Sequence, residues 1–258
     1  MKKSLLAATI VLMTLSMLFG CSKTQAEPTV STEPFMSSSE SIIAPSVENT
    51  PAETEDGTSS DSIDAAYKQQ IDRYYTAVSN QWDGGTYFDH EMSALAAYYY
   101  EGNALDNIGF ACMDLDGDNI PELIIGAIHN SEQDPLVFEI WTLKNGEPLL
   151  LAQSGSHNRY YLQYAEEDGL WSIAYEAENG AANHAVYYLQ LLDGKFEVMQ
   201  GILFDALSNE NAPWFMACDL DWEISNDTPI DEDTANAVME AGRNIYTTIQ
   251  YLPYSSYK

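Results

Sequence analysis

The sequence predicts an α+β fold, with N-terminal helices, an antiparallel β-meander and one C-terminal helix. Three observations lead there. Apolar residues recur at helical spacing from Ile63 to Val78, and again toward the end of the chain. Between those stretches the apolar runs are short and bounded by turn residues, as strands are. Three Asx-Gly pairs, Asn145-Gly146, Asp168-Gly169 and Asp193-Gly194, each separate two such runs, and that is a strong hairpin signal.

Taken in order, Ile63, Tyr67, Ile71, Tyr74 and Val78 form one stripe of an amphipathic helix, with Asp61 or Ser62 as its cap. A second helix is expected from about Asp89 to Tyr100, with Met92, Leu95, Ala96 and Tyr99 inward and Gly102 as its stop. Strands are expected at 108–113, 122–129, 136–143, 148–153, 159–165, 170–176, 185–192, 196–204 and 216–224. A helix over about 231–249 is expected to close the chain, facing the sheet through Val238, Ala241, Ile245 and Ile249.

Charge narrows the function. Ten Lys and Arg stand against 40 Asp and Glu, a net charge of −30. That argues against nucleic acid as a partner, because phosphate backbones are held by clustered cations. It also argues against a polybasic contact with anionic lipid.

The chain opens with Met1-Lys2-Lys3 and an uncharged apolar run to Gly20, which reads as a signal peptide over 1–20. Leu18-Phe19-Gly20-Cys21 resembles the lipobox of bacterial lipoproteins. The resemblance implies that Cys21 becomes the mature N-terminus, carries a diacylglycerol thioether with further acylation, and holds the protein on the extracytoplasmic face of the cell membrane. Over 22–61, 27 of 40 residues are Ser, Thr, Pro or acidic. Such a segment buries too little apolar surface to offset its ordering entropy, so 21–61 is expected to be a tether spanning roughly 35 Å. All 17 Tyr and all five Trp lie in the remainder, expected to be a single domain over 62–258.

The stretch richest in chemistry is Asp114-Leu-Asp116-Gly-Asp118-Asn-Ile-Pro-Glu122. Carboxylates fall at relative positions 1, 3, 5 and 9 between two expected strands. Four acids crowded in a loop repel one another, and a bound divalent cation removes that repulsion. Hard oxygen donors select Ca²⁺ or Mg²⁺. Asp114, Asp116, Asp118 and Glu122 would contribute side chains and Ile120 its carbonyl. The loop is not an EF-hand, which needs Gly at position 6 and Glu at position 12; Asn119 and Ile125 stand there. It resembles the calcium loops of FG-GAP and VCBS-type repeats, which run strand–loop–strand, with Asn119 where that pattern usually has Gly. With one copy, a propeller is excluded.

The wider order resembles uncharacterised lipoproteins of anaerobic gut-type Firmicutes. It comprises signal, lipobox, Ser/Thr/Glu tether, helices, then Phe110-Ala-Cys-Met-Asp-Leu-Asp-Gly-Asp-Asn-Ile-Pro-Glu-Leu-Ile-Ile. Asn226-Asp-Thr-Pro-Ile230-Asp-Glu-Asp resembles their Asn-Gly-x-x-Val-Ser-Glu-Glu turn into a closing helix. No activity comes with that resemblance.

Phe215-Met-Ala-Cys218-Asp-Leu-Asp221 echoes the segment before the acidic loop and reads as a half-buried strand with a polar face, with a second cation site as the alternative. Cys112 and Cys218 are either thiols or a disulfide that export would permit. His90, His129, His157 and His184 are scattered, and Ser154-Gly-Ser156-His157 is too local to be a triad. The Tyr pairs divide between core and a surface that would suit sugars or peptides. The expectation is a lipid-anchored binding or interaction module with one structural Ca²⁺ and a glycan or protein ligand. The alternative is a cell-surface hydrolase acting on wall or dietary glycans through a carboxylate pair.

Overall fold

A computed structural model describes residues 65–128, 135–165, 170–208 and 210–257. The chain divides into Met1–Asp56 and Gly57–Lys258, and the described residues lie in the second unit. The signal peptide, Cys21, the tether, Ile63, the Asp61/Ser62 cap, His129 and the Asp168-Gly169 turn lie outside the described residues.

Helix α1 is Lys68–Ser79, preceded by a 3₁₀ turn over Ala65–Tyr67. Tyr67, Ile71, Tyr74 and Val78 are all buried, as their spacing predicts. Ile71 and Val78 each contribute roughly 1.5–3 kcal/mol by leaving water.

The expected second helix is broken. Helix α2 is Gly84–Asp89, a 3₁₀ turn covers Ala94–Tyr99, and Glu91 between them has φ 55°. Asp83 starts α2 early by accepting from Thr86 N at 2.8 Å, a side-chain N-cap. Ser93 is then held out of the helix by tertiary bonds. Its N–H donates to Glu139 Oε1 at 3.2 Å and its hydroxyl to the Ser154 carbonyl at 2.8 Å. Met92, Leu95 and Ala96 are still buried. A four-residue helix α3, Ala104–Asn107, leads into the sheet.

Eleven strands form one open antiparallel sheet, so the protein is not a propeller. They are β1 Ile108–Met113, β2 Glu122–Ala127, β3 Leu136–Lys144, β4 Glu147–Gln153, β5 Asn158–Ala165 and β6 Leu170–Glu178. Then come β7 Asn183–Leu192, β8 Lys195–Asp205, β9 Trp214–Ala217, β10 Thr228–Pro229 and β11 Leu252–Pro253. The order is β10-β9-β8-β7-β6-β5-β3-β2-β1-β11, with β4 paired to β3 off that path. Asn145-Gly146 and Asp193-Gly194 have positive φ at both residues, the type I′ signature.

The meander is interrupted at β4. Strand β3 pairs with β4 over Glu139–Lys144 and with β5 at Leu136 and Val137. Ser154 splices the change of partner. Its hydroxyl donates to the Val137 carbonyl and accepts from Tyr160 N at 3.1 Å. The serine weighed as a catalytic fragment is therefore a buried backbone bridge.

Two C-terminal expectations are corrected. The strand expected over 216–224 ends at Ala217, because Asp219 and Asp221 capture the N–H groups of Asp221 and Glu223 at 3.3 and 2.8 Å. Such local bonds compete with a ladder. Helix α4 is Glu232–Arg243, capped by Asp231 and stopping short of Ile249. After it, Thr247 N donates to the Leu162 carbonyl at 2.8 Å, satisfying the β5 edge left by the partner change. Ala241 and Ile245 are exposed; Ala235 and Gly242 are the buried residues of α4. Gly242 lies against the Tyr188 ring, where a Cβ would have no room.

The core divides by strand parity. Leu123 and Ile125 pack with α1 and the 3₁₀ turns, while Ile124 joins Leu162, Ile173, Leu203 and Phe215 on the opposite face. Strand β2 is therefore buried along its whole length.

Candidate metal centre

Strands β1 and β2 are joined by the acidic loop, with Met113 paired to Glu122 at its neck. The loop is fastened at both ends. Leu115 is buried with the core of the second face, and the Pro121 carbonyl accepts from Tyr67 Oη at 2.9 Å. Within it the carboxylates curl the backbone. Asp114 accepts from Gly117 N at 2.7 Å and Asn119 N at 2.9 Å, and Asp118 accepts from Ile120 N at 2.6 Å. Asn119 has φ 69°, a left-handed conformation that Asn tolerates better than most residues.

Glu122 is 1% exposed. It accepts from Leu115 N and from Thr142 Oγ1, each at 2.9 Å. Burial pushes its pKa up to about 7, with Asp116 and Asp118 adding to the shift and the two hydrogen bonds opposing it. Burial also raises Asp116, and Asp118 and Asp114 add to that shift. Asp114, Asp116 and Glu122 bring one oxygen each within 4.8 Å of one another. This triad can hold a metal ion. Asp118 is not part of that close group, and its Oδ1 is engaged with Ile120 N. The ion pairs among the described residues, Lys68–Asp72, Lys195–Glu197 and Arg243–Glu176, lie elsewhere.

The second acidic stretch carries a signal that the strand reading missed. Asp219, Asp221, Glu223 and Asp227 repeat the 1, 3, 5, 9 spacing of the first loop. They too join antiparallel strands, β9 and β10. Asp227 is raised to about 6, by burial first and then by Asp219 and Asp221. Only the first loop gathers three carboxylates among the described residues.

Other candidates resolve into structure. Cys112 and Cys218 are half-buried thiols. Tyr161 stacks on Tyr246 and Tyr160 on Tyr175, both with centroids 4.6 Å apart. Tyr98 is 82% exposed. Glu139 is buried among Trp141 Nε1, Ser93 N and Gln153 Nε2, sealed from any substrate. No helix of the described residues is long and apolar enough to cross a membrane.

Comparison of the chain with protein-family models, curated proteins and solved structures finds no match.

Proposed function

We propose that this chain is a lipid-anchored extracytoplasmic binding module whose sheet is fastened by one Ca²⁺ in the β1–β2 loop. The observation that carries the calcium reading is the convergence of Asp114, Asp116 and Glu122 with no ion pair to neutralise them among the described residues. A hard, oxygen-binding dication suits that donor set. Asp118 and the Ile120 carbonyl complete the proposed shell. The anchor reading rests on Leu18-Phe19-Gly20-Cys21 and the Ser/Thr/Pro/acidic segment after it. The ligand is a glycan or a protein, met by the aromatic-rich domain at the end of the tether.

Anchoring has a direct test. In detergent-phase partitioning, the wild-type protein is expected in the detergent phase and Cys21→Ala in the aqueous phase, because the acylated Cys carries the whole anchor. Equal partitioning of the two removes the lipoprotein reading. A glycan array beside a hydrolysis screen on peptidoglycan and polysaccharides separates binding from catalysis. Turnover that is lost in a single Asp or Glu variant would favour the hydrolase alternative.

A further inference from the structure

We propose that the cavity beside α1 is the ligand site of this module and takes a saccharide bearing a carboxylate, a hexuronic acid unit. The inference deepens the binding reading above and rests on it. The cavity holds about 590 Å³, within the range of small-molecule sites. One wall is made by Trp82 and His90, whose rings stack with centroids 4.4 Å apart and planes 23° from parallel. His90 is exposed, so the stack offers the cavity an aromatic surface, and the electron-rich face of such a ring is what packs against the C–H face of a sugar.

The charged groups select the acid. The chain has four acidic residues for each basic one, yet Lys68 and Arg73 both line this cavity. The carboxylate among its lining residues, Asp72, is already engaged at both oxygens. Oδ2 accepts from Lys68 Nζ at 2.6 Å and Oδ1 from Tyr257 Oη at 2.8 Å. Arg73 gives one N–H of Nη2 to the His90 carbonyl at 2.5 Å. That bond fixes the guanidinium beside the aromatic wall and leaves most of its five donors for a ligand. A guanidinium fork matches a carboxylate in two parallel hydrogen bonds. Lys68 is offset by Asp72, so the lining carries one net positive charge, on Arg73, in a strongly anionic chain, and a neutral sugar has no use for that.

The test is calorimetric titration of the folded chain with three probes: a galacturonic acid trimer, a glucuronic-acid-containing oligosaccharide and the neutral galactose trimer. Either acidic probe is expected to bind about tenfold or more tightly than the neutral one, a discrimination typical of a charge-assisted bidentate contact, and to weaken at high salt. The better of the two acidic probes shows which hexuronic acid configuration the site prefers. Arg73→Gln should lose about tenfold in affinity, and Arg73→Lys should recover part of the loss. Trp82 also packs against Tyr87, so Trp82→Leu is read only after its melt matches wild type, and Arg73→Gln carries the test without it. Equal binding of acidic and neutral probes, no binding of either, or an Arg73→Gln protein that binds like wild type overturns the proposal. In the last case saccharide binding survives elsewhere, and the binding-module reading stands without this site.

Discussion

Glu139→Ala is expected to lower the melting temperature by roughly 10 °C. Glu139 sits in β3 with 1% exposure. It accepts from Trp141 Nε1 at 2.9 Å, Ser93 N at 3.2 Å and Gln153 Nε2 at 3.4 Å. Truncation strands the indole N–H and the buried Tyr74 hydroxyl, which also hydrogen-bonds Glu139, and each buried donor left without an acceptor costs about 1–3 kcal/mol. It also opens a cavity and loosens the break between α2 and the following 3₁₀ turn, which Ser93 anchors. A total near 3 kcal/mol converts to about that shift for a domain of this size. Glu139→Gln keeps one acceptor oxygen and the shape, and should lose about a third as much. Thermal melts by circular dichroism check both. An Ala variant that melts with the wild type would mean that Glu139 organises nothing.

The second large effect is on pH dependence, and calcium should reverse it. Glu122 is raised from 4.5 to about 7 and Asp227 from 3.8 to about 6, both chiefly by burial. An acid whose pKa is higher folded than unfolded binds more protons in the folded state between the two values. Its contribution to stability is therefore fully present below the unfolded pKa and is lost as pH rises through the folded one. Metal-free protein should be most stable near pH 4 to 5 and lose stability on the way to pH 7. Glu122 alone accounts for a loss on the order of 3 kcal/mol. A cation requires the ionised carboxylate, so binding displaces that proton. The calcium-induced rise in melting temperature should be small at pH 5 and grow through pH 7. Glu122→Gln should flatten both trends. Denaturant melts across pH, with EDTA and with Ca²⁺, measure this. A metal-free stability that climbs from pH 5 to pH 7 would contradict the burial of Glu122 as a proton-binding group.

How much was legible beforehand depends on the range of the interactions. The α1 stripe, β1 and the Asn145-Gly146 and Asp193-Gly194 hairpins were readable because local periodicity and turn chemistry determine them. The break before Ser93 was not, because it is made by Glu139 and Ser154, 46 and 61 residues away. The end of α4 was misread for a similar reason. Continuing the Val238, Ala241, Ile245 stripe competes with pairing Thr247 to the open edge of β5, and a buried backbone group without a partner is the stronger penalty. Asp114 and Asp116 were legible as candidate ligands from spacing alone, whereas the burial of Glu122 depends on Thr142 across the sheet. The Trp82–His90 cavity had no sequence signal, since its lining residues come from separate turns of α1 and from both ends of α2.

The central claim is that the β1–β2 loop is a calcium site, and a melt in EDTA, millimolar Ca²⁺ and millimolar Mg²⁺ tests it on wild type and Asp116→Ala. A ligand that binds only the folded state stabilises it by RT ln(1 + [L]/Kd), about 1.4 kcal/mol at ten times Kd. That corresponds to about 3–5 °C for a domain of this size. Wild type is expected to gain this with Ca²⁺ and much less with Mg²⁺, which demands tighter octahedral geometry. Asp116→Ala is expected to lose the calcium response while melting at or above wild type in EDTA, because one of several mutually repelling carboxylates is gone. A wild type that ignores Ca²⁺, a variant that still responds, or an equal response to Mg²⁺ would show that the loop is a hydrogen-bonded turn and not a calcium site.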